Sequence, residues 1–294
     1  MKKSMLVLGH LAALFVIGVW GETFVSSKVL LNAGLMPADI FFYRFLLAYL
    51  CMLLWSHKQL WARSWQDELT FLLLGIMGGS LYFLSENMAL VYSLASNVSI
   101  LVSSCPIITA LLCAAFYKSE RLNKKQILGS LMAFVGMVLV VLNGQLILHL
   151  NPKGDALALG AALTWGFYSL LMKRVMHRYD SWFITRKVFF YGLLTILPYF
   201  AIVAPLNTQL SILSQPVVYG NLLYLGLVAA MLCYWLWNWA MSVLGAVKAT
   251  NYLYVQSLFT MLFAVLILNE RITWMAILGA GILILGMIRA ERKN

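Results

Sequence analysis

Long apolar runs separated by short polar connectors organise this chain from end to end. The runs cover approximately residues 5–27, 38–56, 69–91, 96–117, 124–142, 154–175, 181–204, 218–244, 246–268 and 272–289. Each is close to the ~20 apolar residues that carry a helix across a bilayer, so the pattern predicts ten membrane-spanning helices. The longest connectors, 56–68, 143–153 and 205–217, are too short to hold a separate domain. Short connectors also make consecutive helices antiparallel neighbours.

A second pattern lies over the first. Trp20-Gly21, with Lys28 eight residues after the Trp, recurs as Trp165-Gly166 with Lys173, an offset of 145. Glu120-Arg121, Leu128-Gly129 and Gly136 recur as Glu270-Arg271, Leu278-Gly279 and Gly286, each at an offset of 150. Asn87 and Ala89 return as Asn238 and Ala240. An ordered series at nearly constant offset predicts internal duplication, with halves 1–145 and 146–294. Five spans per half is an odd number, so the second half enters the membrane upside down. That is the inverted-repeat plan of secondary transporters, which places the site near mid-membrane between the repeats.

Composition excludes a soluble globule. The chain is 63% hydrophobic and 11% charged over 294 residues, against ~45–50% and ~25% in soluble domains. The net charge of +11 does not suggest nucleic acid, because basic residues of membrane proteins gather in cytoplasmic connectors. With the N-terminus inside, Lys2, Lys3, Lys58, Arg63, Lys118, Arg121, Lys124, Lys125, Lys173, Arg174 and Arg178 fall on the cytoplasmic side, as do Lys248, Arg289, Arg292 and Lys293. The opposite side keeps Lys28, Lys153 and Arg271, which predicts both termini inside. No small-residue cleavage site follows the first run, so it reads as an uncleaved span. Cys51, Cys105, Cys113 and Cys233 lie in apolar runs without CxxC spacing and read as buried small hydrophobes rather than a disulfide or metal framework.

The motifs resemble those of the EamA-type branch of the drug/metabolite transporter superfamily. They are Trp-Gly with its trailing Lys in spans 1 and 6, Ala89-Leu90 after an aromatic stretch, Pro106, and Glu120-Arg121-Leu122 with Gly129 and Gly136. The second half has Asn269-Glu270-Arg271-Ile272 with Gly279 and Gly286. The resemblance covers essentially the whole chain. It implies a ten-helix carrier in a bacterial inner membrane, with cytoplasmic termini and a central cavity. It also implies export of amino acids, metabolites or toxic compounds, with import by some members. Ser257 stands where the second repeat usually has proline, and Glu22 and Glu86 stand where small or aromatic residues are commoner.

Ionisable residues inside a span are expensive and point to function. Glu22 and Glu86 each lie 17 residues into an outward-running span, and Arg44 lies six residues from the outer end of span 2, so the three share a depth. One reading is a polar site for an amine or zwitterion in which a glutamate cycles a proton. The other is a permanent cluster in which Arg44 bridges both glutamates and fixes helices 1–3. Tyr82 shares a helix face with Glu86. Trp20 and Trp165 suit either a cavity wall or an interfacial anchor. Tyr234 and Asn238 in span 8, with Tyr252 and Gln256 on the Lys248 face of span 9, form an aromatic–polar wall or interhelical glue. Arg186 and Lys187 are expected to snorkel to the interface; Lys187 is the approximate repeat counterpart of Arg44 and stays a weaker site candidate. The glycines of spans 5 and 10 predict close packing or a homodimer contact.

A secondary transporter of a small organic solute, with or without proton coupling, is the function this pattern predicts. The alternatives are a facilitator or channel-like permease, and a membrane-embedded enzyme. His10, His57, His149 and His177 are scattered, and neither HExxH nor a Walker A sequence is present, so neither metal, cofactor nor ATP hydrolysis is expected.

Overall fold

The computed structural model describes residues 2–93, 95–117, 123–142, 151–256, 258–259 and 273–291. Among them the regular structure is entirely helical. The elements are α1 (Lys2–Asn32), α2 (Pro37–Trp55), α3 (Trp65–Gly75), α4 (Leu81–Tyr92), α5 (Ala95–Val102), α6 (Cys105–Phe116) and α7 (Lys124–Leu142). The second half gives α8 (Pro152–Val175), α9 (Ser181–Ile202), the short α10 (Leu210–Leu213), α11 (Pro216–Leu223), α12 (Cys233–Leu244), α13 (Ala246–Asn251) and α14 (Trp274–Glu291). Seven helical segments among the described residues are long and apolar enough to cross a membrane. The α9 helix, which carries Arg186 and Lys187 in its second turn, is not one of the seven. The apolar stretch Trp274–Ala290 of α14 is shorter than the others. Predicted span 9 begins as α13 and a tight turn over Tyr252–Val255. Most of its remainder, with Ser257, lies outside the described residues, as do Glu120, Arg121, Leu122 and 269–272.

Local chemistry fixes where these helices start. The Asn151 and Asp180 side chains accept from the backbone N–H groups of Gly154 (3.1 Å) and Phe183 (3.0 Å), and Ser64 accepts from Asp67 (3.2 Å). Such caps satisfy amides that the first helical turn leaves free. Prolines in the first turns of α2, α6, α8 and α11 occupy positions where the missing N–H costs nothing.

Two of the long helices are interrupted by wide, π-type turns, Ile76–Ser80 between α3 and α4 and Tyr224–Leu232 between α11 and α12. Gly79, at φ −124° and ψ −106°, makes the first a kink. The carbonyls freed there are not orphaned. Tyr234 donates its hydroxyl to the Gly78 carbonyl (2.6 Å) and Trp20 its indole N–H to the Ala229 carbonyl (2.9 Å). Irregular backbone survives inside a membrane protein when buried groups resatisfy it in this way.

The halves interleave. α1 packs on α12, α2 and α3 on α9, α4 on α8, and α7 on α14. The last pair is joined through glycine. A Cβ on Gly136 would lie 2.3 Å from the Leu283 amide nitrogen, and one on Gly286 would lie 2.3 Å from that of Ala133. The glycine faces predicted for close packing or a dimer contact are therefore used against each other within one chain. We expect Gly136→Ala and Gly286→Ala each to lower the detergent thermal midpoint, by the ~1–3 kcal/mol of an overpacked contact. An unshifted midpoint in both would mean that the helices separate without cost. Large apolar side chains such as Leu54, Ile202, Leu278 and Leu285 face outward, as helices in contact with acyl chains require.

The expectation that Arg186 and Lys187 snorkel outward is corrected here. Both are buried beneath the 56–64 connector, where Arg186 donates to the Gln59 carbonyl and Lys187 to the Leu60 carbonyl (3.3 Å) and to the Glu68 carboxylate. An acidic partner one helix away, at the start of α3, keeps the lysine inside.

Candidate functional site

Between the halves lies a pocket of about 510 Å³ of space between atoms, its mouth included. Aromatic rings from both halves form much of its wall. Trp20 of α1 and Trp165 of α8, the two copies of the repeated Trp-Gly motif, meet edge to face with ring centroids 5.5 Å apart. Tyr82 lies 4.9 Å from the Trp165 ring, and Tyr234 lies 5.7 Å from Trp20. Gly166, beside Trp165, lets α6 pack closely on α8, since a Cβ there would lie 2.7 Å from Ile108 Cγ2.

Two opposite charges share this aromatic chamber. Arg44 reaches in from α2 with its guanidinium carbon 4.3 Å from the Phe83 ring centroid, a cation–π distance. Glu86 projects from α4, one turn after Tyr82, whose hydroxyl donates to its carboxylate (2.8 Å). Both charged groups are buried, yet no ion pair joins them. Arg44 Nε and the indole N–H of Trp165 have no hydrogen-bond partner among the described residues, although an unsatisfied buried donor costs ~1–3 kcal/mol. Two idle donors, a carboxylate held by Tyr82 but by no ion pair, and several ring faces form a set suited to a guest carrying both a cation and an acceptor. Aromatic walls with a few convergent polar groups are the usual make-up of small-molecule pockets.

Seven of the ten residues singled out in the sequence line this pocket: Trp20, Arg44, Tyr82, Glu86, Trp165, Tyr234 and Gln256. Gln256 also donates to the Trp20 carbonyl (3.1 Å). Three lie elsewhere. Glu22 is half-buried against Tyr224, whose hydroxyl also donates to the Val19 carbonyl (3.0 Å). Asn238 accepts from Tyr168 (2.5 Å) and donates to Thr185 (2.9 Å), tying α12 to α8 and α9. Tyr252 pairs with His10 (2.5 Å). Sequence reasoning missed Phe83 and Cys105, which also line the pocket. Phe83 adjoins Tyr82, but helical geometry alone gives no reason for two consecutive residues to face one cavity. Here they follow the kinked turn.

A second polar cluster, also missed, closes one end of the molecule. Arg178 pairs with Asp67 (2.6 Å), and Tyr179 donates to the other oxygen of Asp67 (2.7 Å). Burial, and then the Asp67 carboxylate that accepts its proton, hold the Tyr179 hydroxyl above the ordinary phenol range. One residue on, Glu68 accepts from Lys187, from Tyr191 and from the Ala62 amide (2.7 Å). The signal was the adjacent Asp67-Glu68 pair at the start of a membrane helix, with Arg178 and Lys187 following 111 and 119 residues later.

The chain matches the EamA-like transporter family twice, over residues 7–142 and 152–289. It is 28% identical to an uncharacterized transporter of Archaeoglobus fulgidus over 292 residues, 97% of this chain and 98% of that one. It is 27% identical to a probable amino-acid metabolite efflux pump of Salmonella typhimurium over 286 residues, 94% and 92% of the two chains. A protein of known crystal structure shares the fold with a TM-score of 0.71 at 17% identity, covering 99% of this chain and 98% of its own. The family and these two named relatives are transporters, not enzymes; with both halves matched, the chain belongs to the EamA-like transporter family, as a multi-pass membrane transporter.

Proposed function

We propose that the chain is a secondary carrier working by alternating access, with 1–145 and 146–294 as inverted five-helix repeats on either side of the pocket. The observation that carries this reading is the meeting of Trp20 and Trp165 at the pocket wall. Duplicated positions come together at a site when two related units face each other across it. The division is also supported by the separate family matches to the two halves. The excess of Lys and Arg in one set of connectors supports an inner-membrane protein with cytoplasmic termini.

The solute that suits the pocket carries an ammonium group, an apolar or aromatic body and a hydrogen-bond acceptor. Glu86 and the ring faces receive the ammonium, while Arg44 Nε and the Trp165 N–H receive the acceptor. The Salmonella relative, named for amino-acid metabolite efflux, supports export of such zwitterions. Glu86 is also the group placed to exchange a proton for the solute's cation, which would couple export to the proton gradient.

Counterflow in proteoliposomes tests the carrier reading. A panel of labelled amino acids and organic cations is offered with and without an imposed pH gradient. Saturable counterflow of one class, accelerated by the gradient, is the expected result. Gradient-independent counterflow would make the protein a facilitator, and flux that fails to saturate or exchange would make it a channel.

A further inference from the structure

The two ends of the molecule are closed by corresponding segments with different chemistry. At one end, the connector 56–64 and the start of α3 meet 176–180 and the start of α9. At the other, the connector 203–215 meets the start of α2. There Tyr43 donates to the Asn207 carbonyl (2.6 Å), and Asp39 accepts from the Asn207 amide (3.0 Å). Tyr43-Arg44 precede Arg186-Lys187 by 143 residues, so the same pair of repeat positions serves both ends. Arg186 and Tyr43 each donate to a carbonyl of the connector belonging to the other half.

Their neighbours diverge. Lys187 turns to the end of the molecule and pairs with Glu68, beside the Arg178–Asp67 pair. Arg44 instead enters the pocket. One end is thus held by two ion pairs, of which Lys187–Glu68 is buried on both sides. At the 203–215 end the closure of Asp39, Tyr43 and Asn207 contains no ion pair. Between the pocket and the charged end, Asn238 is hydrogen-bonded to both Tyr168 and Thr185, and Phe71 meets the stacked pair Tyr179 and Phe183 edge to face.

We propose that the Glu68–Lys187 and Asp67–Arg178 pairs are a gate that shuts the pocket from the 56–64 end and must part, as a unit, for a solute to enter or leave there. This rests on the carrier reading above. Each pair joins the first half of the chain to the second, so any movement that admits solute at that end separates the charges and lets water solvate them. In the closed form Lys187 and Glu68 hold each other in a low-dielectric setting, with the half-exposed Arg178 and its partner Asp67 beside them. The gate is thus a two-state element whose balance depends on charges that never touch the solute. It biases the resting protein toward closure at the charged end, and the contact without an ion pair lets the opposite end open first.

Cys105, which lines the pocket, reports which end is open. It is kept as the sole cysteine through Cys51→Ala, Cys113→Ala and Cys233→Ala. An impermeant thiol reagent is then applied to right-side-out and inverted vesicles. The variant is Glu68→Gln with Lys187→Met, which leaves no unpaired charge behind. Its labelling from the 56–64 end should rise about tenfold, the change in population for ~1.4 kcal/mol of lost closed-state preference. Tyr43→Phe, which weakens only the other closure, should instead raise labelling from the 203–215 end. Labelling of the double variant that matches the parent from both sides overturns the gate, as does a rise from both sides in Tyr43→Phe. Flux through the parent that neither saturates nor exchanges would overturn the carrier reading itself, whichever side the thiol is labelled from.

Discussion

Glu86→Gln should weaken solute binding about thirtyfold or more, the ~2–5 kcal/mol that follows from removing one member of a buried charge pair. The amide is nearly isosteric and can still accept from Tyr82, which donates to the carboxylate at 2.8 Å, so the helix and pocket shape should survive. What disappears is the negative charge facing the solute's ammonium. Equilibrium binding of the transported solute to purified protein measures the loss directly. Gradient-driven flux should lose its pH response at the same time. Glu22→Gln serves as the comparison, because Glu22 lies against Tyr224 rather than in the pocket lining; its effect should be small. If Glu86→Gln binds and transports normally with the pH response intact, solute recognition does not run through this carboxylate.

The second large effect concerns stability. Lys187→Met alone should destabilise the protein by ~3–5 kcal/mol, the usual result of leaving a buried charge without its partner. Glu68 would keep only the Tyr191 hydroxyl and the Ala62 amide. Adding Glu68→Gln should restore most of the lost thermal midpoint, since an uncharged pair of similar volume is tolerated where a lone charge is not. A single variant as stable as the parent would mean that water reaches Glu68 in the closed form. A double variant no better than the single would mean that lost packing of the lysine stem is the cause.

Much of the pocket was legible in the sequence because a charge inside an apolar run has few explanations. Glu86 and Arg44 stand out on that ground alone, and the repeated Trp-Gly marks the partners that meet between the halves. The helical runs were equally plain, since bilayer thickness sets their length. The roles of Lys187 and Asn238 were not. Both are polar groups at helix depth, and only tertiary neighbours decide whether such a group faces a cavity, a connector or another helix. Lys187 reads as an interfacial anchor until Glu68, 119 residues earlier, is brought beside it. The idle N–H of Trp165 is invisible for the same reason, because a missing partner is a property of the surroundings and not of the residue.

The wide turn at Ile76–Ser80 makes the pocket depend on counting as well as on chemistry. A π-type turn behaves as a local surplus of backbone in an α-helix, and each residue of a regular helix advances the azimuth by about 100°. Winding the same number of residues as a regular α-helix would swing everything after them, Tyr82, Phe83 and Glu86 included, about a quarter-turn around the axis. Every side chain of the wall would still be present, in the same order and at nearly the same depth, but aimed at a neighbouring helix. The spelling of α4 is therefore meaningful only in its present phase, and that phase is set upstream by a segment whose own side chains need touch nothing in the pocket.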